Sequence, residues 1–176
     1  MRLFFALWPE PQIRANIADA AAVLRLGSDA RAVPRENYHL TLAFLGEVAD
    51  SQLAVLQRIG RSAQAAGFTI KLDAYEHWRE PRVLVAAASE TPAELTLLQA
   101  RLQAQSRAQY RPPLRPHVTL ARKVAQAPVP QAMSPLYWSA RSFSLVCSET
   151  SGAHSVYTVV DTWPLLDETP KPEKSQ

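Results

Sequence analysis

Apolar and polar positions along this chain recur with two periods, and together they outline most of its elements. Arg2 to Trp8 (RLFFALW) is aromatic and aliphatic and is ended by Pro9, which predicts a strand. Over residues 10–26, Ile13, Ile17, Ala20, Ala21 and Leu24 fall at helical spacing, with Gly27 as a stop. Residues 38–45 read as a buried strand. Asp50 stands where a cap would open a second helix running to about Ala66, with Leu53, Leu56 and Ile59 inward and Gly67 closing it. FTIKLDAY (68–75) alternates as a strand does, and RVLVAAA (82–88) is expected as its buried neighbour. Thr91-Pro92-x-Glu94 has the form of a capping box and predicts a helix to about Gln109. After the proline-broken YRPPLRP comes a strand at 117–122. RSFSLVCSE and SVYTVVDTW (141–149 and 155–163) predict a closing hairpin across Ser151-Gly152.

A helix followed by a histidine-bearing strand occurs twice in this order, so the chain reads as a diverged duplication. Helices interspersed with hairpins favour α+β architecture with antiparallel sheet over a parallel doubly wound fold. The length of 176 residues suits one domain, expected over residues 1–166. The remaining DETPKPEKSQ (167–176) is polar and proline-bearing and is expected to be a disordered tail. No apolar run approaches the length of a membrane-spanning helix, and MRLFFALWPEP lacks the small-residue cleavage site of a signal peptide. The single cysteine, Cys147, excludes an internal disulfide and a cysteine-based zinc cluster. Both facts suit a reducing cytoplasm. With only five glycines, the chain offers no glycine-rich phosphate loop.

Charge changes the picture more than composition does. The net charge is only +3, yet residues 95–148 contain no Asp or Glu and carry seven basic side chains. These are Arg101, Arg107, Arg111, Arg115, Arg122, Lys123 and Arg141; the rest of the chain, with 12 basic and 16 acidic residues, is net −4. That asymmetry points to an anionic partner, although a merely solvated basic face has the same signature.

The candidate chemistry lies in ENYHLTLAFLG (36–46) and RPHVTLARK (115–123), which both write His, apolar, Thr, apolar. Side chains alternate across a strand, so His39, Thr41 and Ala43 share one face and Leu40, Leu42 and Phe44 the other. His117 and Thr119 likewise stand opposite Val118 and Leu120. The apolar face suits a core. The His/Thr face needs hydrogen bonds or a cavity. Two such strands could line a cleft, one histidine acting as neutral base and the other as charged acid on opposite sides of a phosphorus atom. The threonine hydroxyls could hold non-bridging oxygens, and an arginine could neutralise developing charge. A strained cyclic phosphodiester needs no metal or other cofactor for this reaction. Zinc ligand patterns are absent: there is no nearby cysteine, no second histidine within five residues and no HExxH.

PRENYHLTLAFLG and RPHVTLAR resemble the two signature motifs of the 2H phosphoesterase superfamily, and more narrowly RNA 2′,3′-cyclic phosphodiesterases, also called 2′-5′ RNA ligases. With RLFFALWPEPQIRANI and the closing strands, the resemblance covers roughly residues 2–165. It implies a bilobal α+β fold with pseudo-twofold duplicated antiparallel sheets, helices outside and a central cleft. It implies metal-independent hydrolysis of RNA 2′,3′-cyclic phosphate ends, such as those of tRNA halves, to a 2′-phosphate, by a monomer. His39 would be the acid on the departing O3′, His117 would activate water, and Thr41, Thr119 and Arg122 would contact phosphate. Strict alternation from His117 turns Arg122 away from the cleft and brings Lys123 onto it, so the strand is expected to end or bulge just after Leu120 or Ala121. Two other functions stay open: an RNA-end-binding module with weak activity, and a phosphodiesterase for a small cyclic nucleotide or an ADP-ribose cyclic phosphate. Of the other histidines, His77 is expected at the surface in a charged loop and His154 in the hairpin loop. Phe4, Phe5, Trp8 and Cys147 are expected in the core, with one of the aromatic rings available to stack a base.

Overall fold

The computed structural model describes residues 1–106, 108, 115–129, 131–151 and 154–166. Ten strands and three helices are present among them: β1 (Arg2–Leu7), α1 (Pro11–Ala21), β2 (Arg31–Ala32), β3 (Leu40–Glu47), α2 (Leu53–Ser62), β4 (Phe68–Leu72), β5 (Ala74–Trp78), β6 (Val83–Ala87), α3 (Ala93–Ser106), β7 (His117–Arg122), β8 (Leu136–Ala140), β9 (Ser142–Ser151) and β10 (His154–Pro164). The fold is α+β, and every pairing between these strands is antiparallel. One sheet runs β10-β9-β1-β3, a second runs β2-β7-β6-β5, and β4 pairs with β8. Each four-stranded sheet contains one strand–helix–strand unit, β1-α1-β3 or β6-α3-β7, in which the outer strands pair directly.

The core fills the space between the helices and the inward faces of the sheets. Phe5, Leu7, Ile17, Leu40, Leu42, Leu72, Leu95, Leu98, Leu102, Val118 and Trp138 belong to one buried cluster. Leu56 is buried in it, and Leu53 and Ile59 pack against it, as the helical spacing predicts. Gly60 is where α2 presses on β10, because a Cβ there would lie 2.4 Å from the Trp163 ring. Cys147 is buried in β9, as expected.

Several boundaries differ from the sequence pattern for physical reasons. Helix α1 stops at Ala21 rather than near residue 26, because Leu24 and Leu26 leave the helix to pack on Leu84, Ala121 and Val124. Asp50 does not cap α2; it opens a 3-10 turn over Asp50–Gln52, and no side chain caps either element. That helix ends at Ser62, where Ala63 turns out of helical geometry and is fully buried. The strand expected over 68–75 is two strands in different sheets, so β6 pairs with β5 and not with β4. The break falls at Asp73, whose carboxylate accepts hydrogen bonds from the Ser89 amide (2.9 Å) and hydroxyl (2.7 Å). β8 has no counterpart in the pattern reading, although Leu136, Trp138 and Ala140 alternate inward. His77 is not in a loop. It lies in β5, half-buried, with Nε2 2.9 Å from the Val124 carbonyl. The predicted end of α3 near Gln109, most of YRPPLRP, Gly152 of the hairpin turn, the His154 side chain and the tail 167–176 lie outside the described residues.

Candidate active site

Both histidine strands carry a bulge at the same point of the motif. Against β6, Thr119 pairs with Val85 and Ala121 with Leu84, so Leu120 is the extra residue. Against β1, Thr41 pairs with Ala6 and Ala43 with Phe5, which makes Leu42 the extra one. The Leu120 oxygen accepts from the Val33 amide at 2.8 Å, and the Leu42 oxygen from the side-chain amide of buried Gln103 at 3.4 Å.

The bulges decide which side chains face the cleft. Directly paired residues point to the same side of a sheet. Arg122 pairs with Val83, Thr119 with Val85 and His117 with Ala87, and these three β6 residues share one face. His117, Thr119 and Arg122 are therefore on one side. The bulge at Leu120 re-phases the arginine as the motif required. Lys123 leaves the strand in the left-handed region, with φ of 59°. In the first lobe the same rule corrects strict alternation: Phe44 joins Thr41 on the cleft side, and Ala43 turns into the core. Phe44 thus occupies the position that Arg122 holds in the second lobe.

His39 sits just before β3 in a cage of aromatic rings. Trp8 stacks on it nearly parallel, at 5.3 Å and 7° between planes, with Phe4 at 5.0 Å and Tyr157 edge-on at 5.2 Å. Its Nδ1 is 2.7 Å from the Asn37 backbone carbonyl, and the Asn37 side-chain amide donates to the Ser155 carbonyl at 3.0 Å. His117 repeats the device, with Nδ1 2.6 Å from the Arg115 carbonyl. Its wall differs. Trp78 meets it edge-on at 4.4 Å, and the Arg115 guanidinium lies 5.0 Å over the Trp78 ring. Glu76 accepts from both the Trp78 indole (2.7 Å) and Arg115 (2.6 Å). A ring nitrogen facing a carbonyl must be the donor, so Nδ1 carries the hydrogen and Nε2 is the free base on both imidazoles.

Burial lowers the pKa of His39 from the usual 6.5 to about 4, with the hydrogen bond to Asn37 opposing it and the charges of Arg122 and His117 adding to it. Burial also lowers His117, opposed by its bond to Arg115 and by the Glu76 carboxylate, while the charges of Arg115 and Arg122 act with burial. The two imidazoles and Arg122 therefore feel one another across one cleft, where β3 and β7 approach. Among the described residues, no group of three or more His, Cys, Asp or Glu is placed to hold a metal ion.

The structure brings His39, Thr41, His117, Thr119 and Arg122 to one region. His77 faces away, on the opposite side of β5 from Glu76 and Trp78. Pattern reading named Phe4 and Trp8 as core residues or as rings to stack a base; Phe4 is buried and Trp8 half-buried, and both pack on His39. It missed Tyr157 beside His39, and Trp78, Glu76 and Arg115 around His117. Alternation in AYEHW could have put Glu76 and Trp78 on a common face, but the contact of Trp78 with His117 and the charge that Glu76 exerts on it are tertiary facts. The basic window is also less free than its count suggests. Arg101 donates to the Gln64 carbonyl and Arg115 is paired with Glu76.

Twinned strand–helix–strand units, each presenting a desolvated histidine and a threonine to a shared cleft, define a two-histidine α+β protein. The chain matches the family described as the 2′-5′ RNA ligase superfamily over residues 9–148, and it belongs to that family. It is 31% identical to the RNA 2′,3′-cyclic phosphodiesterase of Escherichia coli K12, over 93% of this chain and 96% of the relative. The RNA 2′,3′-cyclic phosphodiesterase of Thermus thermophilus is 32% identical, over 96% of this chain and 92% of the relative. Among solved structures, E. coli LigT in apo form superposes with a TM-score of 0.85 at 31% identity, covering 94% of this chain and 97% of LigT.

Proposed function

We propose that this protein is an RNA 2′,3′-cyclic phosphodiesterase that opens the strained ring to a 2′-phosphate and a free 3′-hydroxyl. The observation that carries the reading is a pair of mutually coupled imidazoles whose Nε2 atoms have no hydrogen-bond partner among the described residues, with Arg122 turned onto the His117 side by the bulge at Leu120. In-line attack needs a base on one side of phosphorus and an acid on the other. His117 Nε2 takes the proton of a water as its oxygen bonds to phosphorus; the P–O3′ bond breaks; His39 Nε2 gives its proton to O3′. Thr41 and Thr119 donate to non-bridging oxygens, and the Arg122 fork spans two of them as charge builds. No metal or other cofactor enters these steps. A 5′-hydroxyl in place of water would lead the same groups to a 2′-5′ linkage. The named relatives support RNA as substrate, tRNA halves among the candidates, and the bilobal unit over residues 1–166 is proposed to act as a cytoplasmic monomer. No helix among the described residues is long and apolar enough to cross a membrane.

One observation favours a second reading of the roles. In the unliganded site His39 is the harder imidazole to protonate, so the first proton goes to His117. His39 serves as the acid only if the bound phosphate supplies the negative charge that raises it. The product end decides. An oligonucleotide with a 2′,3′-cyclic phosphate, incubated in excess chelator, is expected to yield a 2′-phosphate end. Predominant 3′-phosphate means exchanged histidine roles, and no hydrolysis without added metal overturns the two-histidine mechanism. Binding of the oligonucleotide without turnover would leave an RNA-end-binding module. Hydrolysis confined to mononucleotides or ADP-ribose cyclic phosphate would move the substrate class.

A further inference from the structure

Arg31 and Arg122 are direct partners in the antiparallel β2–β7 pair, so their Cα atoms lie about 5 Å apart and their side chains leave the same face. That face is the one bearing His117 and Thr119. The neighbouring pair, Ala32 with Ala121, points the other way, and Ala121 packs with Leu84, Val124 and Ala30. Both arginines are exposed, and among the described residues neither has an ion-pair or hydrogen-bond partner. Like charges set directly opposite in a sheet destabilise it. Other cations of the chain show the alternative, since Arg115, just before β7, is paired with Glu76, and Lys71 of β4 with Asp73. An edge strand of two residues that spends one of them on an opposed arginine is placed for an anion, not for packing.

We infer that Arg31 forms a second phosphate subsite, beside the one at Arg122, which takes the phosphodiester next to the cyclic end. This rests on the functional reading above and sharpens it: the enzyme then favours a polymer end over a mononucleotide. A mononucleoside 2′,3′-cyclic phosphate fills only the site of reaction. An oligonucleotide places its neighbouring phosphate against Arg31 and relieves the repulsion between the two guanidiniums.

The test compares wild type with Arg31→Ala on two substrates, a mononucleoside 2′,3′-cyclic phosphate and an RNA oligonucleotide with the same terminal nucleotide. Arg31→Ala is expected to raise KM for the oligonucleotide about tenfold, with kcat and the mononucleotide constants unchanged. The slope of log affinity against log salt for the oligonucleotide should fall by about 0.7, the value of one lost contact on a single strand. The melting temperature should stay level or rise, because a repulsive pair is removed. Equal losses on both substrates would place Arg31 at the reacting phosphate and overturn the subsite; so would an unchanged oligonucleotide KM, or a lowered melting temperature with proportionate losses. If wild type hydrolyses neither substrate, the functional reading itself fails. Turnover of both with equal kcat/KM, insensitive to Arg31→Ala, defeats the subsite alone.

Discussion

The two halves of the cleft use one backbone device for two chemical purposes. In each, a histidine is followed two residues on by threonine, the next residue bulges, and a side chain five places after the histidine is swung onto the cleft face. In the second half that side chain is Arg122. In the first it is Phe44, which stacks near Phe4 and carries the Arg2 guanidinium 5.0 Å over its ring. His39 is walled by three aromatic rings, whereas His117 has one indole wired to an ion pair. The first half thus supplies a dry imidazole and the second supplies charge. A duplicated fold can keep its hydrogen-bond register while its two copies diverge in electrostatics, because the bulge fixes direction and leaves residue type free.

The largest effect should come from removing either imidazole. His39→Ala and His117→Ala are each expected to cut turnover of a cyclic-phosphate end by at least about a hundredfold, the scale of a lost general acid or base. Retention of full activity by either folded variant breaks the two-sided comparison at its root.

Next in size is the charge of the second half. Arg122→Lys should leave turnover about tenfold down, since a point charge cannot reproduce the planar fork on two oxygens. Lys123→Ala should have little effect at moderate salt, because Lys123 has left the strand. Turnover measured beside melting temperatures separates catalysis from folding, and a silent, folded Arg122→Ala would remove this residue from the site.

The pH profile sharpens the contrast between the halves. Both free imidazoles sit below 6.5, so at neutral pH the site is unprotonated and the singly protonated form is the minor one. The kcat/KM should therefore peak below pH 6.5 and fall about tenfold per unit on the alkaline side, where one proton is missing. The optimum of kcat should lie higher, since bound phosphate favours the imidazolium. An alkaline optimum for kcat/KM would contradict the desolvated pair.

The smallest effects concern the walls, read by histidine NMR titration. Trp8→Ala opens His39 to water and should raise its pKa from about 4 toward 6.5. Glu76→Gln removes a charge that raises His117 and should lower its pKa slightly, without moving His39. If both substitutions shift both histidines alike, the walls are not independent.

By itself the sequence determined the duplicated unit and the chemistry at its centre. His39-Leu40-Thr41 and His117-Val118-Thr119 are local patterns, as are the apolar faces of α2 and the closing hairpin, because periodicity and neighbouring side chains specify them. Even the need for a bulge before Arg122 could be read, as a conflict between alternation and motif. Only the tertiary structure decided that a matching bulge at Leu42 puts Phe44 on the cleft, that the strand over 68–75 breaks at Asp73, and that β9 inserts beside β1. Only it decided that Trp8, Tyr157, Trp78 and Glu76 wall the histidines, and that Arg31 stands opposite Arg122. Strand partners and the burial that lowers an imidazole pKa depend on residues far apart along the chain. Local pattern carries no term for that pairing.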